Sequence, residues 1–510
     1  MGLSRSSLIR LSAAAAFAPA RSLAAVETPR RGGTLRVAMG REFIGADPHG
    51  SSSGVDRNLY TSLYNGLVTV DPQLRIVPDL ARSWTTPDPR TYVFTLRPDM
   101  KFHDGTPCDA AAVKATFDYI LDPRNNSQRR PEIVVVDRVE ALDALRVRIS
   151  LKTPFAPFLA IIADRAGYIV SPAARAKYGK DLARNPVGTG PFRFVEWLRD
   201  DHLRLRRFEN YFQPGLPYLD EIVYRPVTDQ SVVLTELRTG NIDFAYTLAV
   251  DPKDINLIRG ISTLRILEAP GVGFEGFWLN TAAGPMASRA VRAAFSAALD
   301  RDLILAIGYS GVGRIGNGPI SPSSWAYDPK IPTTKRDLSL AKRMLAESGH
   351  SGGISIRMLA ESNNPLQAKL TQLAQAQVKE AGIDARIQTL DFASLLRAGE
   401  RNDFDVMSLG WSGRIDPDGN VEPIFESKGA FNYGRYHNAE VDALISRGRE
   451  IQVQAERREI YDRLVRTIGE DVAYAFTYFT PTLFVGSSAV RGFPLSPDAL
   501  MRFKTAWLAR

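Results

Sequence analysis

The sequence predicts a mixed α/β protein built from more than one domain. Three observations carry that expectation. The chain has 510 residues, whereas single hydrophobic cores stop growing near ~250 to 300 residues, so two or three domains are required. Strand-type and helix-type segments alternate along it without an internal repeat, the pattern of helices laid on sheets. With 44% hydrophobic and 24% charged residues, the composition is that of a globular protein.

Leu35 to Met39 reads as the first strand, after Gly32-Gly33. Tyr92-Val-Phe-Thr-Leu96 is β-rich and ends at Arg97-Pro-Asp99, and Lys101-Phe102 resumes the strand before the turn residues Asp104-Gly105. A helix follows. Asp109 caps it, Val113, Thr116, Phe117, Ile120 and Leu121 make one apolar face, and Pro123 stops it. The same period predicts a helix over Ser288 to Ile307 with Val291, Phe295, Ala298, Leu299 and Leu303 inward, and one over Leu338 to Ser348 ended by Gly349. It also predicts helices over Lys369 to Ala381 and over Ala439 to Gly469, the latter interrupted near Gly448. Ile354 to Leu359 and Phe404 to Leu409 are apolar strands between them.

At the N-terminus, Arg5 and Arg10 precede the apolar run Leu11 to Ala20, followed by the small residues of Ser22-Leu-Ala-Ala25, so residues 1–25 read as a cleavable signal peptide. No later stretch approaches the ~20 apolar residues that span a bilayer, and membrane insertion is not expected. The sole cysteine, Cys108, lies far from the cleavage site, which removes a disulfide and a lipid-modified N-terminus from consideration. A periplasmic protein that is not a lipoprotein is the expectation. The formal charge of +8 falls to +5 once Arg5, Arg10 and Arg21 leave with the signal. The pairs Arg129-Arg130, Arg206-Arg207 and Arg457-Arg458 are scattered, so no nucleic-acid footprint is present.

Enzyme readings find little support. Gly311-Val-Gly-Arg-Ile-Gly316 and Gly271-Val-Gly-Phe-Glu-Gly276 fit G-x-G-x-x-G, but neither has the strand-turn-helix setting that a dinucleotide needs. No nucleophile elbow, P-loop or H-E-x-x-H occurs. His103-Asp104 sits between a short strand and a capped helix, which gives it a structural explanation. The five histidines, His49, His103, His202, His350 and His437, are isolated, with no zinc-site spacing. No catalytic residue, metal or cofactor is expected, and His437 reads as a surface residue at a helix start.

Five stretches read together carry more: Leu80-Ala-Arg-Ser-Trp84, Lys101-Phe-His-Asp-Gly-Thr-Pro107, Asn185-Pro-Val-Gly-Thr-Gly-Pro-Phe192, Phe277-Trp-Leu-Asn280 and Gly410-Trp-Ser-Gly-Arg-Ile-Asp-Pro-Asp418. In this order the chain resembles the extracytoplasmic solute-binding proteins of family 5, the dipeptide-, oligopeptide- and nickel-binding components of ABC importers. The resemblance implies a two-lobed periplasmic-binding-protein fold of the class II, cluster C type, with an extra β-rich subdomain in lobe I and a ligand cleft between lobes. Lobe I would hold residues 26–270 plus 480–510, with the subdomain at 62–178, and lobe II residues 271–479. The crossings fall near Pro270-Gly271 and Thr480-Pro481, residues suited to a bend. The implied function is capture of a dipeptide or oligopeptide by a monomer that delivers it to an ABC permease and its ATPase subunits. An opine, glutathione, an oligosaccharide or a nickel chelate are alternative solutes for the same fold, and a periplasmic hydrolase or chaperone is the rival from another class.

The main site candidate is Gly410 to Asn420, because it follows a strand and α/β proteins commonly bind ligands at strand ends. In peptide-binding relatives an acidic residue shortly after the Gly-Trp pair holds the peptide ammonium, and Asp416 matches first, Asp418 second. Asp416-Pro-Asp-Gly419 is equally a turn composition. Trp411 would stack over the ligand or join the core, and Arg414 would meet a ligand carboxylate through its planar fork or stay an exposed loop residue. Ser52 and Ser53 would offer polar groups from lobe I, and Phe274 and Phe277 would line the cleft near the first crossing. One departure from the family is Glu361, which stands before Asn364-Pro365 where dipeptide-binding relatives carry an arginine for the peptide carboxylate. The ligand is then longer, has its carboxylate met elsewhere, or is not a standard dipeptide.

Overall fold

Two long strands, Leu264–Leu279 and Tyr474–Ser487, run antiparallel through the middle of an eleven-stranded mixed sheet. A computed structural model of the chain describes residues 27–51, 53–246, 249–362 and 364–509, so the expected signal peptide and Ser52 lie outside the described residues. On one side of the long pair come Val406–Ser408, Ile354–Glu361 and Ile383–Leu390; on the other come Phe244–Ala245, Thr34–Ala38, Glu221–Arg225, His202–Arg207 and Phe192–Leu198. The short strand Arg314–Ile315 pairs beside Tyr474–Ser487. This is the expected α/β class.

The ladder of the long pair is continuous from Leu264 opposite Ser487 to Pro270 opposite Pro481, then shifts register before resuming at Phe274 opposite Phe479. Proline supplies no ladder donor, so two prolines face to face interrupt pairing. The described residues form five hydrophobic clusters, and two of them draw only on residues between Phe274 and Phe479. A third is built around a separate four-stranded sheet, ordered Ala81–Asp88, Thr91–Leu96, Arg146–Leu151, Val136–Ala141, with Phe94, Phe117 and Ile149 fully buried.

Most elements sit where periodicity placed them. The helix Ala110–Leu121 starts at Asp109, whose carboxylate accepts the Ala112 N–H at 3.0 Å, and buries Val113, Thr116, Phe117 and Ile120. The long helix expected over Ser288 to Ile307 is instead two, Arg289–Ala298 and Arg301–Tyr309. Leu299 is extended and Asp300 caps the second helix by accepting the Leu303 N–H at 3.0 Å. Leu303 therefore turns outward, 43% exposed, against the inward expectation. Likewise Ala439–Glu450 and Gln454–Asp471 are separate helices broken after Glu450, and Gly448 is a buried position within the first.

The family-like stretches have physical reasons. Gly188 and Gly190 lie against the backbone end of the helix Asp56–Leu63: a Cβ on Gly188 would sit 2.1 Å from the Leu63 carbonyl oxygen, and the Gly190 N–H donates to that oxygen at 2.9 Å. His103 stitches the same loop from the other side, its Nδ1 accepting the Gly188 N–H at 3.3 Å and its Nε2 3.0 Å from the Gly190 carbonyl. The proton is thereby placed on Nε2. Asp104 accepts from the Ser171 hydroxyl at 2.6 Å, so both members of the apparent catalytic pair are spent on structure. Asn280 closes the Phe277-Trp-Leu-Asn stretch, donating to the Phe404 carbonyl at 2.8 Å and accepting from Ala282 and Ala283.

Two predictions follow from this packing. Gly188→Ala overpacks a backbone contact and is expected to cost about 1–3 kcal/mol in urea unfolding; an unchanged midpoint would refute the contact. Burial holds His103 down to about 4 and His49 down to about 3, both below the ordinary 6.5. Groups depressed on folding stabilise above their unfolded value, so this contribution is lost as pH falls from 6.5 toward 4. Thermal melts across that range should show the loss, with a shallower slope in His103→Gln.

Candidate functional site

The loop after Val406–Ser408 is fastened to the long strand just past its register shift. Trp411 and Phe274 exchange backbone hydrogen bonds at 2.8 and 3.0 Å. Gly413 has φ +75°, and a Cβ there would fall 2.3 Å from the Val272 carbonyl carbon, so only glycine lets the loop lie flat on the strand. Asn420 locks the far side, accepting the Arg414 N–H at 2.7 Å and donating back to its carbonyl at 3.3 Å. The loop then enters the helix Asp418–Phe425.

Both candidate ammonium anchors already hold arginines. Asp416 is buried and takes a bidentate pair from Arg457, at 3.0 and 2.7 Å. Arg457 is further bonded to the Gly448 carbonyl at 2.8 Å and the Tyr461 hydroxyl at 3.1 Å, so this carboxylate neutralises an interior cation. Asp418 lies 3.0 and 3.2 Å from Nε of Arg449, the nearer oxygen without hydrogen-bond alignment. Burial pushes Asp418 up to about 7, Arg449 opposing and the charges of Asp416 and Glu422 adding. Arg449 also pairs with Glu422 at 3.3 Å, and its guanidinium lies over the Phe155 ring, 5.3 Å from the centroid. Its carbonyl accepts the Ala156 N–H at 2.7 Å. This is a direct contact between the region of the four-stranded sheet and the helix Ala439–Glu450.

Trp411 and Arg414 remain open. The half-buried Trp411 donates from Nε1 to the Gly419 carbonyl at 3.1 Å, lies beside Phe431 and carries the Arg414 guanidinium 5.0 Å from its ring centroid. Arg414 is solvent-exposed and donates only locally, to the Ser412 hydroxyl at 3.1 Å and the Gly413 carbonyl at 2.7 Å. Crowding by protein, then the Arg57 charge, push it down to about 10, with Asp164, Arg165 and Glu132 also acting on it. Arg414 is thus an exposed side chain that also feels charges from distant segments.

Other expected residues are placed differently. Phe274 is fully buried, edge-on to Tyr474 and Phe476 at 5.4 and 5.2 Å, and Phe277 packs on Phe295 at 5.6 Å. Both are core residues at ladder positions of the long strand, in two different clusters, and Phe277 also lines the small cavity beside Glu275. Ser53 shapes the turn into the helix Asp56–Leu63, donating its N–H to the Ser51 hydroxyl at 3.1 Å and accepting from Asp56 at 3.4 Å. That helix carries Arg57. Glu361 ends its strand 3.4 Å from the Asn364 side-chain nitrogen, and Asn364 caps the helix Pro365–Glu380. His437 is exposed, 2.6 Å from the Ser427 hydroxyl. Among the described residues no group of three or more His, Cys, Asp or Glu is arranged to hold a metal, and no helix is long and apolar enough to cross a membrane.

Sequence reasoning missed the roles of Arg457, Arg449 and Glu275. Glu275 faces Gly410, opens on a cavity of about 10 Å³ shared with Gln367, Ser408 and Thr477, and is pushed up to about 7 by burial. No spacing signals these residues. Arg457 is 41 positions from Asp416 and reads as half of a solvated basic pair.

The sequence model of the bacterial extracellular solute-binding proteins, family 5 Middle, matches residues 75–432. Over 483 residues, 92% of this chain and 93% of its relative, the sequence is 30% identical to the glutathione-binding protein GsiB of Pectobacterium atrosepticum. Among solved structures, the ABC transporter substrate-binding protein CtaP of Listeria monocytogenes superposes with a TM-score of 0.85 at 25% identity, covering 94% of this chain and all of that one. The oligopeptide-binding protein AppA of Bacillus subtilis, in complex with a nonapeptide, gives 0.79 at 25% identity over 95% of this chain and all of its own.

Removing one partner of a buried pair strands the other charge, so Asp416→Asn is expected to cost about 3–5 kcal/mol in ligand-free unfolding; a loss below about 1 kcal/mol, the size of an exposed pair, would contradict the buried pairing. Asp418, raised on folding from 3.8 to about 7, stabilises at low pH and loses that contribution as pH rises through about 7. Relative to Asp418→Asn, the wild type should lose thermal stability between pH 4 and 7, and parallel melting curves would refute the shift.

Proposed function

The chain belongs to the bacterial extracellular solute-binding proteins, family 5, and from that premise we propose that it is the substrate-binding component of an ABC importer for peptide-like solutes with free carboxylates, glutathione foremost. The observation that carries the ligand class is the state of the loop charges. Asp416 and Asp418 are committed to Arg457 and Arg449, while Arg414 stands in the open without a carboxylate partner among the described residues. A cleft with a spare guanidinium selects an anion, since a charge-assisted bidentate bond is among the strongest a protein makes. The glutathione-binding relative supports the same class.

Two lobes joined at Pro270 and Pro481 supply the mechanism. The register shift there leaves the strand pair a weak point about which residues 271–479 can turn against the rest. Ligand groups touching both lobes favour the closed form by as much as they prefer it. The Arg449 contact with Phe155 and Ala156 is the protein's own share of that closure. Export through residues 1–25 would place the protein in the periplasm, where the loaded form docks on the permease. No reaction is required of it.

The test is a thermal-shift panel of glutathione, dipeptides, longer peptides, an oligosaccharide and nickel-histidine. A ligand at ~100 times its dissociation constant adds about 2.7 kcal/mol. Glutathione and acidic peptides should raise Tm and be recovered intact; a shift with sugar or nickel-histidine alone would overturn the peptide-like class, and hydrolysis would overturn the binding role.

A further inference from the structure

With Asp416 and Asp418 paired to arginines, an acidic group that stays open beside the candidate loop is Glu275. It follows Phe274 on the long strand, stands opposite Tyr478, and is itself followed by a second register shift before Gly276. Its side chain lies across Gly410, where a Cβ would fall 2.3 Å from the carboxyl carbon, so the bare Cα of that glycine makes room for the carboxylate. The carboxylate has no hydrogen bond or ion pair among the described residues, and Glu275 is half-buried rather than enclosed. A carboxylate crowded by protein and met by no donor is costly to ionise, and burial accordingly pushes it up to about 7.

The cavity of about 10 Å³ that Glu275 lines has room for one water-sized group. It lies between the two stretches the sequence singled out, with Ser408 at the foot of the Gly410 loop and Gln367 in the first turn of the helix Pro365–Glu380. Two of its polar walls have donors already engaged: Gln367 Nε2 donates to the Ser408 hydroxyl oxygen at 2.6 Å, and the Thr477 hydroxyl donates to the Glu275 carbonyl at 2.9 Å. They leave a guest acceptors and one negative charge. A primary ammonium matches that demand, being a compact cation with three donors, whereas a guanidinium is broader and a carboxylate is repelled. We propose that Glu275, with Gln367 and Thr477 beside it, forms the subsite that takes the free ammonium group of the ligand. The assignment rests on the peptide-like reading above and deepens it, giving Glu275 the part that the family resemblance gave to Asp416.

Isothermal titration of the full mature chain tests this in wild type and Glu275→Gln, using glutathione and the tightest-binding peptide of the thermal-shift panel, each beside its N-acetyl form. Wild type should bind each free amine more tightly than its acetylated form by roughly tenfold to a hundredfold, the value of one charge-assisted bond. Glu275→Gln should lose that preference and bind the acetylated forms as wild type does. Ligand-free Glu275→Gln should melt no lower than wild type, because it removes an unmatched charge and keeps the side-chain shape. A carboxylate that only holds the strand irregularity would instead melt lower on substitution and weaken free and acetylated ligands alike, which overturns the subsite. Equal binding of free and acetylated forms by wild type, or a preference kept in Glu275→Gln, also overturns it and leaves the proposed function standing. If wild type binds neither glutathione nor any peptide, both fall.

Discussion

The antiparallel pairing of Leu264–Leu279 with Tyr474–Ser487 organises the main sheet. These strands lie at the centre of the main sheet, and every other strand is ordered outward from them. Sixteen and fourteen residues long, they extend far past the usual strand, so one end of the pair can serve one core and the other end another. Leu264 belongs to one cluster and Phe274 to a different one, ten positions along the same strand. Between them Pro270 faces Pro481 and the ladder slips. Chain connectivity and the weak point in the sheet coincide.

The candidate loop inherits its position from that slip. Gly410 to Asn420 is bonded to Phe274 where pairing resumes, and its glycine at 413 presses on Val272 in the interrupted stretch. The loop is thereby tied to the end of the strand pair that serves the clusters drawn from residues 274–479. The loop's charges divide accordingly. Those pointing into its own unit, Asp416 and Asp418, are matched by Arg457 and Arg449 at short distance. The exposed one, Arg414, has no carboxylate partner among the described residues and stacks on Trp411. Interior charges need partners because the medium is poorly polarisable; an outward charge can wait for a ligand because water solvates it meanwhile.

The motifs that marked the family are mainly devices of assembly. Gly188 and Gly190 allow a backbone-to-backbone approach, His103 bonds that loop while neutral, and Asn280 clamps a strand end. Each names a residue type that one local geometry demands. They identify the fold well and say little about the solute.

Fold class, strand and helix periods and the cap at Asp109 were legible in the sequence, because those features depend on neighbours within a few residues; the candidate loop was legible through the family resemblance of Gly410 to Asp418. Sequence reasoning missed the break at Leu299-Asp300, where a cap inside an unbroken apolar period restarted the helix, and so misdirected Leu303. It could not tell that Phe274 and Phe277 face a core, since an apolar residue beside a crossing fits a cleft equally well. Which charges are paired became visible in three dimensions alone. Asp416 with Arg457, Asp418 with Arg449 and Asp164 with Arg57 are separated by 41, 31 and 107 positions. No local pattern records such a pairing.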